Sequence, residues 1–381
     1  MKAHRLLQRL KPTLLDRYLL RQSLWLLLVT LGVGGGVYLM TDLFDRMDNF
    51  MEAGLELKYI LIYFAVKLPF IIAQILPAAF LITVIIQLCF MAGSRELLAL
   101  QAGGISLWRL TAFFIFFAVL WGTVQLFLSE NLGVMGNNKA NEIWNERVQN
   151  KPDKYNIVRN FWLMEDQHMI YAQFLNVEKG HGSGIVCYTL SDDGMLVEQV
   201  LRAAEFDMDG EIWTLHNATA YDTDGFVREN EITAHIRVKH SRSGLRMLGE
   251  NVKLRDYSLW QIGRDIKRLE ASGSNVEALR TGWHMKLAYA SSLLVMSLVG
   301  VALITWKENL YINIGTGLLI TFLFYTILTV GGTLGENGRI PPALAAWFPL
   351  FLVGGLALLK IWRKIPLTLE KKRCKSWQDN Q

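Results

Sequence analysis

Three cysteines in 381 residues are too few for a disulfide-stapled domain. Cys89, Cys187 and Cys374 lie far apart and show no C-x-x-C spacing, which argues against a zinc site or a redox dithiol. Cys89 falls in an apolar block and Cys374 in a basic tail, so an intramolecular bridge between them is not expected. Histidine is scarce, seven in all and scattered. No metal-ligand cluster is legible, and neither a metal nor another cofactor is expected. The sequence has no H-E-x-x-H, G-x-S-x-G or Walker A motif. If the chain uses ATP, another subunit must hydrolyse it. Gly182-Ser183-Gly184 reads as a loop rather than a nucleophile turn. Charge is also low, 19% of residues against about 25% in soluble domains.

What is abundant is apolar surface: 52% of residues are hydrophobic, and the mean hydropathy is +0.24. That excludes a disordered or collagen-like chain. It is still too polar for a chain built only of membrane spans, so a water-soluble part is mixed in. A helix needs about 20 mostly apolar residues to cross the hydrocarbon core. Such blocks fall at about 23–40, 59–92, 106–128, 286–306, 310–330 and 342–362, three on each side of a long insertion. The second holds Lys67, Pro69 and Pro77 and would reach about 50 Å as one helix. Reading it as two crossings would put the chain ends on opposite sides. Yet both ends are basic: Lys2, Arg5, Arg9, Lys11, Arg17 and Arg21 precede the first span, and Arg363, Lys364, Lys371, Lys372, Arg373 and Lys375 follow the last. The positive-inside rule places both ends in the cytoplasm, so one long kinked helix is expected. The acid-rich stretch 42–58 becomes an outer loop and the insertion lies on the non-cytoplasmic side. The net charge of +5 thus reports membrane orientation, not nucleic-acid binding. The basic start runs into an apolar block with no small-residue cleavage site, which reads as a retained first span.

The insertion reads as β. Residues 160–164 and 168–172 form a hairpin around Asp166-Gln167, and 184–190 is β-rich up to a turn at Ser191-Asp192-Asp193-Gly194. Asp209-Gly210 joins 203–208 to 211–215, Asp224-Gly225 joins 219–223 to 226–227, and 231–238 alternates weakly. Short strands with regular turns suggest an antiparallel sandwich or jelly roll. Ser258 can then cap a helix over 259–271, which Gly273 can end. The resulting divisions are 1–128 (cytoplasmic start and spans one to three), 129–257 (β domain), 258–282 (helical connector), 283–365 (spans four to six) and 366–381 (basic tail).

Several features carry both a structural and a functional interpretation. Gly32 and Gly36 in the first span, and Gly331 and Gly335 in the fifth, show the G-x-x-x-G spacing. Ordinary helix packing accounts for it, as does a contact that opens for a lipid. Lys67 either snorkels or marks a functional intramembrane charge. The segment Ser94-Arg95-Glu96-Leu97-Leu98-Ala99-Leu100 reads as a short helix capped by Ser94 and stopped by Gly103. Its leucines could pack on the chain's own spans or dock in a groove on a cytoplasmic partner.

At these residues the sequence resembles the LptF/LptG family, the membrane subunits of the lipopolysaccharide-export ABC transporter. Leu68-Pro69 and Leu76-Pro77 stand at the family's spacing. The stretch from Ser94 to Gly104 matches its coupling helix, and Trp162-Leu163 through Ile170-Tyr171 its first periplasmic hairpin. Met285-Lys286-Leu287-Ala288 matches the start of the fourth span, and Gly338-Arg339-Ile340-Pro341-Pro342 through Pro349 that of the sixth. Leu14-Leu15-Asp16-Arg17-Tyr18 is more similar to the LptG start than to the LptF start. Two departures stand out. Arg46 sits among Asp42, Asp45 and Asp48 where LptG-like chains carry several lysines. Gly133 and Gly136 stand where the family has a proline.

The resemblance implies six transmembrane helices (3+3) with a periplasmic antiparallel β jelly-roll-like insertion, in a non-catalytic permease subunit of the bacterial inner membrane. It implies an LptF-like paralogue, an LptB-like ATPase dimer and an LptC-like single-span protein as partners, and lipopolysaccharide as cargo passed to a periplasmic bridge toward the outer membrane. The first and fifth spans would close a lateral gate, with Gly32, Gly36, Gly315 and Gly317 as packing candidates. Ser94, Arg95, Glu96, Leu97, Leu98 and Leu100 would couple to the ATPase. Arg46, Lys67, Lys139, Lys286 and Arg339 are candidates for the lipid headgroup, with membrane-boundary anchoring as the other interpretation of Lys139 and Lys286. Phe161, Trp162, Ile170, Tyr171, Phe174, Phe206 and Trp213 would line an apolar β interior or simply form its core. The alternative from another class is a membrane scaffold or sensor whose β domain binds a ligand without transport.

Overall fold

The structure, a computed structural model, describes residues 14–149, 157–165, 167–177, 179–191, 196–222, 228–230, 233–238, 245, 254–271, 276–306 and 309–378. The expected turns at 192–194 and 224–225 and the helix stop at Gly273 lie outside them. The chain divides into two compact units, Met1–Asn137 with His284–Gln381, and Asn138–Trp283.

The first unit is helical. Among the described residues, six helices are long and apolar enough to cross a membrane. α1 spans Leu14–Glu52, α2 Leu57–Gly93, the short α3 Glu96–Ala102 and α4 Leu107–Phe127. A π-helical turn, Leu128–Gly133, continues α4 into α5, Val134–Ile143, and a second π turn covers Trp144–Val148. The expected outer loop at 42–58 is a correction: α1 stays helical to Glu52 and the link is only a few residues. The acids there alternate with apolar residues at helical spacing. Phe50, 1% exposed, packs edge-on against Tyr63 and Phe64 of α2. Gly54, at φ +61°, then ends the helix, donating its N–H to the Met51 carbonyl.

α2 is one helix despite Pro69 and Pro77. Proline lacks an N–H, so Pro77 leaves the Ala73 carbonyl without its helical donor. Gln125 of α4 donates Nε2 to that carbonyl at 2.8 Å. In the apolar interior this repair is what lets the proline stay. Gly136 lies against the Val66 carbonyl so closely that a Cβ would collide with it. A Cβ at Gly133 would stand 3.6 Å from Phe70 Cα. These two glycines, standing where the resembling family has proline, permit the close crossing of α2.

Three spans return the chain: α7, Glu277–Ile304; α8, Leu310–Glu336; and α9, Pro342–Gln378. Among the described residues between them and α5 lie eight strands and α6, Leu259–Ala271. α2 and α7 form the centre of the helical core, with Leu76, Phe80, Val84, Met296 and Val299 all buried. α1 and α8 lie outside it. Only 6% of the apolar window of α1 and 22% of that of α8 is buried, against 67% for α2 and 72% for α7.

The second unit holds one antiparallel sheet: β1 Ile157–Glu165, β2 His168–Asn176, β3 His181–Leu190, β4 Val197–Asp209, β5 Ile212–His216, β6 Thr219–Asp222, β7 Arg228–Asn230 and β8 Thr233–Arg237. The order is β1-β2-β3-β4-β5-β8, with β6 also on β4 and β7 on β6. The long β4 serves two partners along one edge, β6 through residues 199–202 and β5 through 205–209. The expected β4–β5 hairpin forms one residue later than Asp209-Gly210: Asp209 pairs with Ile212, and Gly210-Glu211 make the turn, with Gly210 at φ +62°. Ser258 caps α6 reciprocally: its Oγ accepts from the Gln261 N–H, and the Gln261 side chain accepts from the Ser258 N–H at 2.9 Å.

One irregularity crosses four strands. In β1 to β4, two consecutive residues, 159–160, 173–174, 183–184 and 204–205, stand between buried neighbours. They are aligned in register. The inward–outward alternation therefore flips along one transverse crease. Asn160 at φ +49° and Gly184 at φ +69° supply left-handed conformations for it. Gly182-Ser183-Gly184 is accordingly part of a strand, not a loop. Ser183 pairs with Phe174 and Glu205, and a side chain at 182 would strike the Phe206 ring.

Candidate functional site

α3 was expected to begin at a Ser94 cap. Instead Arg95 holds the cap position at φ +60° with no side-chain bond to the helix start. Ser94 Oγ donates backward to the Phe90 carbonyl at 2.9 Å, because the serine still belongs to the end of α2. Glu96 accepts a hydrogen bond from Tyr18 of α1 at 3.1 Å. Leu97 and Leu100 pack on Leu19, Met91 and Leu110, so these two leucines serve the chain's own fold. Leu98 is 65% exposed and Arg95 is also exposed. The short helix thus presents a mixed apolar and charged face while its other face is seated on α1, α2 and α4.

The lipid-headgroup candidates separate by partner. Lys67 does not snorkel: its side chain is 9% exposed, and Nζ lies 2.6 Å from Asp42 Oδ2. Arg46 Nε meets the other oxygen of the same carboxylate at 3.0 Å. Both cations also lie near the Tyr63 ring, at 5.3 and 5.6 Å. Asp42 thus bridges the two cations, and Arg46 is the more exposed of the two at 30%. Lys286 pairs with Glu130 at 2.7 Å, the side chains 13% and 6% exposed. Lys139 pairs with Glu142 at the same distance but on the surface. Arg339 is exposed in the turn between α8 and α9, its backbone N–H bonded to the Leu334 carbonyl.

Sequence reasoning missed Asp42, Tyr63, Glu130 and Tyr18. The i,i+4 spacings Asp42–Arg46 and Tyr63–Lys67 were a usable signal once both segments are seen as helical. Glu130 and Lys286 are 156 residues apart, and no local pattern links them.

The glycines also divide. Gly32, Gly36 and Gly315 have open space where a Cβ would stand. Gly317 packs inside, with Ile85 Cδ1 at 2.7 Å from that point. The close approach of α1 to α2 is made at Gly34, where a Cβ would stand 3.2 Å from Ile75 Cγ2, and that of α8 to α9 at Gly331, where a Cβ would stand 2.6 Å from the Ala345 carbonyl oxygen.

In the β unit, the aromatics expected as one interior fall on two faces. Phe161, Ile170, Phe206 and Trp213 are buried, with Phe206 and Trp213 stacked at 5.2 Å. Trp162 and Tyr171 point the other way, and Phe174 is half-buried at the crease. On the exposed face, Asp207 bonds His181 and His216 at 2.8 Å each. These bonds hold its carboxyl below the ordinary range. Among the described residues, no group of three side chains is placed to hold a metal ion.

Six candidate spans, an antiparallel sheet inserted between the third and fourth, and ion pairs across helices define a multi-pass membrane protein with a β insertion. The chain belongs to the LptF/LptG family: the family described as lipopolysaccharide export system permease LptF/LptG matches residues 17–363. It is therefore an inner-membrane permease subunit of a lipopolysaccharide transport system that works with partner proteins. No curated protein matches the chain individually.

Proposed function

We propose that this chain is the LptG-type half of the permease, paired with an LptF-like paralogue, and that it extracts lipopolysaccharide from the inner membrane toward a periplasmic bridge. Both termini lie in the cytoplasm and the β unit in the periplasm. The domain limits follow the divisions at 128, 257, 282 and 365. An LptB-like ATPase dimer docks on α3 through Arg95, Glu96 and Leu98, and an LptC-like helix inserts at the lateral gate. The observation that carries this reading is the uneven cover of the spans. α1 and α8 expose apolar side chains and open glycines, the surface a second subunit and a lipid would need. Arg46, partly exposed, and the exposed Arg339 supply partners for lipid phosphates.

The test is purification of the membrane complex with its ATPase, followed by photocrosslinking to lipopolysaccharide during ATP turnover. Probes at 46 and 339 are expected to label lipid, and lipopolysaccharide is expected to stimulate turnover. A chain that co-purifies with no ATPase and crosslinks no lipid refutes the proposal and favours the scaffold alternative.

A further inference from the structure

The outward face of β1 to β3 carries an exposed ring, Trp162, in contact with two half-buried ones, Tyr171 and Tyr188. Trp162, 52% exposed, lies 4.8 Å from Tyr171 and 6.3 Å from Tyr188, centroid to centroid. The Trp162 and Tyr188 planes are within 20° of parallel. Register places Trp162 opposite Tyr171 and Tyr171 opposite Val186. The same line continues to the exposed Arg202 on β4. The crease runs beside this line. There Asn160 accepts a hydrogen bond from Tyr171 Oη at 3.1 Å. Gln173 lies over Gly184, where a Cβ would meet its Oε1 at 2.8 Å. Asn160 is not a glycine yet is held at φ +49°. Such strain persists where the surroundings fix it, and it often marks a working surface.

We infer that this face is a saccharide platform that takes the oligosaccharide part of the cargo. The inference rests on the export reading above. A pyranose ring presents C–H bonds on its faces, which pack on electron-rich aromatic planes, and hydroxyls around its rim. Here the planes are Trp162, Tyr171 and Tyr188. The rim partners are the amides of Asn160 and Gln173, each able to donate and accept, and the guanidinium of Arg202 for acidic or phosphorylated sugars. An acyl chain has no use for an amide border. The opposite face of the sheet is already filled, with Phe206, Trp213 and Ile170 at 0% exposure.

The experiment uses the full chain in detergent and calorimetric titration with two probes: delipidated core oligosaccharide from lipopolysaccharide, and lipid A. The wild type is expected to bind both. W162A and Y188A, on an exposed face, are expected to weaken oligosaccharide binding about tenfold each, the equivalent of about 1.4 kcal/mol, and to leave lipid A binding unchanged. W162F, which keeps a ring, is expected to recover most of the loss. Absence of oligosaccharide binding by a wild type that binds lipid A overturns the platform, as does an unchanged affinity in W162A or an equal loss of lipid A. Failure to bind lipid A overturns the export reading instead.

Discussion

The Glu130–Lys286 pair offers a direct measure of what burial does to an ion pair, because the same chain contains its control. Lys286 Nζ and Glu130 Oε1 are 2.7 Å apart with side chains 13% and 6% exposed, whereas Lys139 and Glu142 are also 2.7 Å apart but 55% and 46% exposed. Distance is thus held constant and solvation is not. Removing one partner of a buried pair leaves an uncompensated charge and costs about 3–5 kcal/mol, while a surface pair contributes at most about 1 kcal/mol. At about 2–4 °C per kcal/mol, K286M should lower the unfolding midpoint by about 6–20 °C, and K139M by no more than about 4 °C. The assay is thermal unfolding of the purified chain in detergent, followed by intrinsic fluorescence. Removing both charges, as in E130Q with K286M, should restore much of the loss, because the orphaned charge is then gone. Equal midpoints for K286M and K139M, or a double variant no better than the single, would refute the reasoning. A second consequence concerns transport: Lys286 already has its counter-ion, so its loss should show in stability before it shows in lipid binding.

E96R should leave the fold intact, with a midpoint within a few degrees of wild type, but should lose the co-purifying ATPase; wild-type ATPase retention and lipid release would sink the role given to Glu96. Gly136→Ala should destabilise the chain because a Cβ collides with the Val66 carbonyl, whereas Gly32→Ala, opening onto free space, should not; comparable melting of the two would contradict the packing described here. Asp207 is held below its usual range by His181 and His216, so its contribution is present above the unfolded value of about 3.9 and fades as pH falls through the lower folded value. D207N should therefore be less stable than wild type at neutral pH and converge with it in strong acid; parallel pH–stability curves would speak against that linkage.

The six crossings were legible because bilayer-length apolar blocks leave little choice. The β4–β5 hairpin was legible from Asp209-Gly210, and the start of α6 was legible from Ser258, though its partner Gln261 was not. Errors gathered where local chemistry points one way and long-range packing another. Asp42, Asp45 and Asp48 look like a solvated loop, yet Phe50 has an aromatic pocket to fill and carries the helix on past them. Ser94 has the side chain of an N-cap, yet the preceding helix claims it and leaves the bend to Arg95. Gly182 and Gly184 look like loop residues, but one makes room for the Phe206 ring and the other for Gln173 within a strand. The partners of the headgroup candidates were not readable. Lys67 finds Asp42 at a separation of 25 residues and Lys286 finds Glu130 at 156, distances over which a sequence carries no local period.

The crease in the sheet ties four separate stretches of the chain to one length rule. A single residue deleted at 159–160 would turn the remainder of β1 inside out relative to β2, and the same holds at 173–174, 183–184 and 204–205. No one strand can lose its extra residue alone without setting buried and exposed side chains at odds with its neighbours. Chain-length changes in this unit should therefore be tolerated between strands and rejected along that line. A regular, uncreased ancestor or redesign could be reached only by altering all four strands together.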